Sequence, residues 1–222
     1  VILGMVVGAA CGLANGALSA YMGLAPFIVT LGTMTFLRGL AYTITAGQPI
    51  VSSALNFRDI GNGYFAGIPV PVIVMAIVYL VAWFLLERTR YGRHVYAVGG
   101  NPEAAKLAGV RVKRIITSVY LFAGACAGLA GVIFAARVVS AQPTAGTGYE
   151  LDAIAAVVLG GASIFGGRGS VFGTILGVFM LTLIKNSLII MRIDNTWQGV
   201  VVGCVIVIAT ALTAWRDRKA LV

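Results

Sequence analysis

The chain has 222 residues, 59% hydrophobic and only 10% charged, with 16 Lys and Arg against 7 Asp and Glu and a formal net charge of +9. Soluble domains carry roughly a quarter charged residues, so this composition, with a mean hydropathy of +0.97, excludes that class and indicates a polytopic membrane protein. The basic residues sit beside apolar runs, the pattern that orients a chain in a bilayer, which excludes nucleic acid as the reason for the charge.

Cys11, Cys126 and Cys204 each lie in an apolar segment and read as small packing residues, without disulfide or metal-ligand spacing. The chain opens in an apolar run with no basic leader or cleavage site, so an N-terminal part of a longer protein is expected before it. Residues 1–22 carry no charge and match the roughly 20 residues of a bilayer span. Gly4, Gly8, Gly12 and Gly16 recur every fourth position on one helical face, which predicts a packing seam. Asn15 is the polar residue of this span and a candidate to face a cavity.

Residues 26–46 form a second span with a wet side, carrying Thr30, Thr33, Thr35, Thr43 and Thr45. Its Arg38 would cost several kcal/mol against lipid, so it is expected to face protein, a polar cavity or an interface. Residues 47–69, rich in Gly, Asn and Pro, read as an external loop. Residues 70–86 are an uncharged span with Trp83 near its end.

Residues 87–114 hold the densest basic run, with Arg88, Arg90, Arg93, Lys106, Arg111, Lys113 and Arg114 against Glu87 and Glu103, and are expected in the cytoplasm. Within this loop Asn101 suits a helix cap, Pro102 the first helical position and Gly109 a left-handed stop. Residues 102–108 should therefore be a helix of about two turns, roughly 10 Å long. Ala104, Leu107 and Ala108 share one face of it, and its small alanines permit close seating in a partner's groove.

Residues 115–136 return across the membrane with Gly124 and Gly128 four apart. Residues 138–152 then fall outside, and residues 153–165 are too short for a full span and are interrupted by Gly160 and Gly161. With residues 171–184 they read as a discontinuous helix pair. Irregular backbone at membrane depth survives only where protein or a water-filled cavity satisfies it. Residues 185–198 read as a polar connection, residues 199–215 as a last span, and Arg216, Asp217, Arg218 and Lys219 as a cytoplasmic tail.

His94 is the only histidine, so neither a histidine metal cluster nor a Ser-His-Asp triad can be built, and no catalytic residue is expected. Gly161 and Gly166 have the spacing of a phosphate loop, but Gly167 and Arg168 follow where Lys and Ser or Thr are needed, so no ATP or Mg is expected on this chain. Glu150 and Asp152 have no evident acid or nucleophile partner, and capping of the following helix is their default role.

Three blocks, PFIVTLGTMTFLRGL, RYGRHVYAVGGNPEAAKLAGV and SAQPTAGTGYELDAIAAVVLGGASIFGGRGSVFGTILG, resemble the permease subunit of bacterial ABC sugar importers, most closely the ribose type. The resemblance runs in order through essentially the whole chain. It implies an all-α helical membrane bundle with glycine-rich packing faces and a broken helix, in which 1–222 is a single transmembrane domain containing the coupling loop 87–114. It also implies a second permease copy, identical or not, a separate cytoplasmic ATPase that holds the ATP and Mg, a periplasmic sugar-binding protein, and the bacterial inner membrane.

Glu103, Ala104, Ala105 and Gly109 match the start of the loop by which such permeases contact their ATPase, although no Ile-x-Leu-Pro follows Gly109. Asn101, Lys106 and Leu107 complete the expected coupling site. The candidates for the translocation pathway are Asn15, Phe27, Thr30, Thr33, Arg38, Glu150, Asp152, Gly160 and Gly161. Two alternatives are a branched-chain amino-acid permease of related fold and an ion-coupled carrier, which would require an intramembrane acid.

Overall fold

The computed structural model describes residues 1–51, 58–164 and 166–194 and scattered positions between 197 and 211. The expected last span, 199–215, lies mostly outside the described residues, and Arg216 to Lys219 lie wholly outside them. Five described helices are long and apolar enough to cross a membrane: Ile2–Tyr21, Pro26–Thr45, Val70–Arg88, Val112–Val138 and Val171–Ile190. Their large apolar side chains are mostly exposed, Ile2 at 79% and Phe27 at 72%, as suits helices whose solvent is lipid. Backbone packing divides the chain into two compact units, Val1–Val81 with Ala105–Ala145 and Ala82–Ala104 with Gly146–Val222.

The first unit is built on α1 (Ile2–Tyr21) and α7 (Val112–Val138). They run antiparallel, and the glycines make the contact. A Cβ on Gly8 would overlap the carbonyl of Gly124, one on Gly12 that of Tyr120, and one on Gly128 that of Gly4. Such backbone-to-backbone approach lets Cα–H groups meet carbonyls across the seam, and lipid offers no hydrophobic force to replace it. At the far end Lys113 Nζ stands 5.4 Å from the centre of the Tyr21 ring, and the Thr117 hydroxyl lies 3.4 Å from the Gly16 carbonyl.

Helix α2 (Pro26–Thr45) has proline at its first turn and a left-handed Ala46 after its last. It joins α1 through Thr33, whose hydroxyl donates to Asn15 Oδ1 at 2.6 Å. The region read as an external loop contains α3 (Arg58–Asn62) and a small hairpin of β2 (Tyr64–Phe65) and β3 (Ile68–Pro69). Asn62 Nδ2 donates to the carbonyls of Ala136 and Arg137 at 2.9 and 3.3 Å, closing the end of α7. Beside it β1 (Ile50–Val51) pairs antiparallel with β4 (Ser140–Ala141). Helix α4 (Val70–Trp83) continues through a π turn over Phe84–Arg88, after which Arg88 Cζ lies 5.2 Å from the centre of the Trp83 ring.

The second unit contains α5 (Arg90–Gly100), α8 (Tyr149–Leu159) and α9 (Val171–Ile190). The short α6 (Pro102–Leu107) contains the boundary between the units. Two boundaries differ from the sequence reading. Helix α7 starts three residues earlier than 115 and ends two later than 136, because its basic first turn is helical. Helix α9 continues through Lys185, Asn186 and Ser187 to Ile190, so the polar connection starts later than 185.

Candidate functional site

Residues 87–114 fold around two short helices separated by one residue. Thr89 opens α5 by accepting the N–H of Gly92 at 3.3 Å, and its own hydroxyl donates to the Leu85 carbonyl at 2.5 Å. Asn101 then opens α6, its Oδ1 accepting the N–H of Ala104 at 3.0 Å. At the other end Val110 N–H donates to Ala105 and Gly109 N–H to Lys106, both at 3.0 Å, with Gly109 at φ +83°. These paired bonds form a Schellman stop, which needs a left-handed residue. A helix of six residues is too short to persist on propensity alone, so both caps are what hold it.

Ala105 is buried, whereas Glu103, Ala104, Lys106 and Gly109 are exposed and Leu107 is 90% exposed. Ala105 therefore seats the helix on its own chain. The face with Ala104, Leu107 and Ala108 is the one left open.

In the broken region α8 has 11 residues, about 16 Å, well short of a hydrocarbon core of about 30 Å. It stops at Gly160. Helix α9 starts beyond the break, where Ser170 accepts the N–H of Gly173 at 3.0 Å. The two helices close on small residues, since a Cβ on Gly173 would overlap the Gly160 carbonyl and one on Gly177 that of Ala156. The break is seated against α5. A Cβ on Gly99 would stand 2.7 Å from Gly167 N, and one on Gly166 would stand 2.6 Å from the Gly99 carbonyl. The Tyr96 hydroxyl donates to the Gly169 carbonyl at 3.0 Å. Burial, and secondarily the nearby Glu87 carboxylate, raise the Tyr96 phenol above its ordinary value of 10.0, so it remains a donor at physiological pH. The helix that leads into α6 thus touches the interruption between α8 and α9 backbone to backbone.

The remaining pathway candidates are dispersed. Asn15 and Thr33 bond to each other. Thr30 lies 2.9 Å from the Pro26 carbonyl, and Thr35, Thr43 and Thr45 likewise donate to carbonyls four residues back, so these hydroxyls are satisfied within α2 and do not of themselves require a wet face. Phe27 is exposed, and Arg38 is half-buried midway along α2 with no ion pair among the described residues. Glu150 folds back on its own helix start, Oε2 accepting the Gly148 N–H at 3.1 Å. Asp152 does have a partner, Lys185 on α9, in a salt bridge. Among the described residues no group of three or more His, Cys, Asp or Glu could hold a metal ion.

Two participants were missed from sequence. Sequence pattern places Lys185 in a polar connection, whereas it lies on α9. The helix α5 was masked by Gly92, Gly99 and Gly100, although Thr89 as a cap and Tyr91, Val95 and Val98 at positions i, i+4 and i+7 mark it.

Apolar helices sealed by glycine, an interrupted helix and a capped short helix between spans mark a polytopic integral membrane protein. The chain belongs to the family described as branched-chain amino acid transport system / permease component, whose profile matches residues 1–210. Its curated relatives include import permeases named for ribose, allose, galactose and fructose. It is 48% identical over 207 residues to the ribose import permease protein of Bacillus subtilis, covering 92% of this chain and 63% of that one. It is 42% identical over 221 residues to that of Haemophilus influenzae, covering 98% and 68%. It is 43% identical over 209 residues to the D-allose transport system permease protein of Escherichia coli, covering 94% and 64%. The chain spans about two thirds of the length of these curated relatives. No solved structure matches it. It is a multi-pass protein of the bacterial inner membrane.

Proposed function

We propose that the chain is the membrane-spanning part of an ATP-driven monosaccharide importer, forming the translocation pathway and relaying the work of a separate ATPase that holds the ATP and Mg. The observation that carries this reading is the identity of 42% to 48% with ribose import permeases along nearly the whole chain. The geometry supports the relay. Helix α6 is capped at both ends, presents Leu107 outward, and follows directly on the α5 segment that rests on the break between α8 and α9. A short rigid helix transmits rigid-body motion, where a loop without fixed ends would absorb it.

In this reading Glu103, Ala104, Lys106 and Leu107 contact the ATPase from the cytoplasm, Asn101 and Gly109 hold the helix, and Ala105 anchors it. A periplasmic sugar-binding protein delivers solute from outside, and a second permease copy completes the pore. Glu103→Lys or Gly109→Pro should leave the protein inserted yet abolish uptake and sugar-stimulated ATP hydrolysis, because proline cannot adopt the +83° φ at Gly109. Wild-type uptake in both variants would overturn the coupling role.

The family's description favours a second reading, a branched-chain amino-acid permease. Uptake of labelled ribose that unlabelled ribose but not leucine competes away supports the sugar reading, and uptake of labelled leucine with none of labelled ribose supports the second.

A further inference from the structure

The second unit holds a groove of about 430 Å³ between α8 and α9, within the range of roughly 300–1,000 Å³ typical of small-molecule sites. Tyr149, Asp152, Thr182 and Lys185 supply its polar groups, and Ala156 and Leu181 its apolar floor. Asp152 and Lys185 form a salt bridge, with their side chains 24% and 30% exposed, so the pair remains accessible from the groove. Lys185 lies five residues before the end of α9 at Ile190, about 7.5 Å inside a helix of spanning length. A charged pair at that depth is costly against lipid and belongs beside protein or a water-lined cavity.

The chemistry selects the ligand class. One carboxylate and one ammonium leave the groove without net charge, so an ionic solute finds no uncompensated partner. A carboxylate accepts hydrogen bonds, the ammonium keeps donors beyond the one it gives Asp152, the Tyr149 hydroxyl donates and accepts, and the Thr182 hydroxyl, which donates to the Val178 carbonyl at 2.7 Å, still accepts. That set matches a neutral solute rich in hydroxyls, whose C–H face can rest on alanine, leucine and the tyrosine ring. We propose that this groove is a sugar-contact station on the pathway, in which Asp152, Lys185, Tyr149 and Thr182 take the hydroxyls of a passing monosaccharide. The proposal rests on the reading of the chain as a sugar-import permease and adds the place and the residues of contact. Asp152 has a second task here, since its link to Lys185 also holds α8 to α9.

The test uses the complete importer in lipid nanodiscs with Cys11, Cys126 and Cys204 of this chain replaced by serine and a reporter Ala153→Cys on the groove's wall, labelled by a small maleimide in the presence of D-ribose, D-galactose or L-leucine. A sugar at millimolar concentration should slow labelling several-fold while leucine does not. Adding Asp152→Asn should raise the sugar concentration for half-protection by about tenfold, the effect of losing one charge-assisted hydrogen bond. Should Asp152→Asn impair packing, Tyr149→Ala, which leaves the salt bridge in place, should raise it in the same direction. Labelling unaffected by either sugar, in an importer that still takes up ribose, overturns the station and leaves the importer reading standing. Failure of the wild-type importer to take up any sugar, with leucine taken up instead, overturns the importer reading and the station with it.

Discussion

Gly99→Ala tests the seating of α5 on the interrupted helix. The added methyl would stand 2.7 Å from Gly167 N and 3.3 Å from Gly167 Cα, and both atoms are backbone that no rotamer change can move away. Ordinary contact begins near 3.4 Å, so the loop must retreat from α5 by about 0.7 Å. Overpacking of this kind costs about 1–3 kcal/mol, and a displacement near 1 Å at a remote joint can reduce turnover by about a hundredfold. The neighbouring Gly100→Ala is an internal control, because its methyl would meet only Gly167 Cα at 3.9 Å. The assay is uptake and ATP hydrolysis side by side in proteoliposomes containing the assembled importer. Gly99→Ala should keep ATP hydrolysis and lose at least about tenfold in uptake, each 1.4 kcal/mol being tenfold, while Gly100→Ala transports as wild type. Equal behaviour of the two variants would refute the joint.

Further outcomes follow from the same geometry. Gly8→Leu or Gly124→Leu should destabilise the solubilised protein by about 1–3 kcal/mol or more, because each face meets backbone, whereas Gly23→Ala, limited by its φ of +69° and not by space, should cost about 1 kcal/mol; thermal unfolding in detergent measures both. A double-mutant cycle with Asn15→Leu and Thr33→Val should give a coupling of about 0.6–1.7 kcal/mol, the range for hydrogen bonds between membrane helices. For Tyr96 the folded phenol titrates higher than the unfolded one, so its contribution to stability is complete below the unfolded value near 10 and is lost as pH rises through the folded value. Difference titration of phenolate absorbance between wild type and Tyr96→Phe should place this tyrosine above 10.0, and ionisation below that value would refute its shielding.

Glycine spacing made the helix seams legible in sequence, since residues four apart must share a face whatever they pack against. Which helix pairs with which was not legible, because Gly8 and Gly124 are 116 positions apart and spacing within α1 says nothing of α7. The caps of α6 were readable because Asn101, Pro102 and Gly109 act locally. Lys185 is illegible in sequence for the complementary reason. The run Lys185, Asn186, Ser187 looks like a connection until an acid from another helix neutralises the lysine and lets α9 continue. Helix α5 is hard to see in sequence because Gly99 and Gly100 resemble breakers, whereas Gly99 is there to admit another backbone.

The glycine seam between α1 and α7 also leaves a sliding coordinate. Its small residues repeat every four positions on α1, and Gly8 now faces Gly128 and Gly12 faces Gly124, so moving that helix by one turn, about 5.4 Å, would bring Gly12 opposite Gly128 and Gly16 opposite Gly124. The seam therefore fixes how closely the helices approach and leaves their register nearly degenerate. Register is held at one end, where Lys113 stands over Tyr21 and Thr117 reaches the Gly16 carbonyl. Those two contacts act as the pawl of a ratchet whose teeth are glycines.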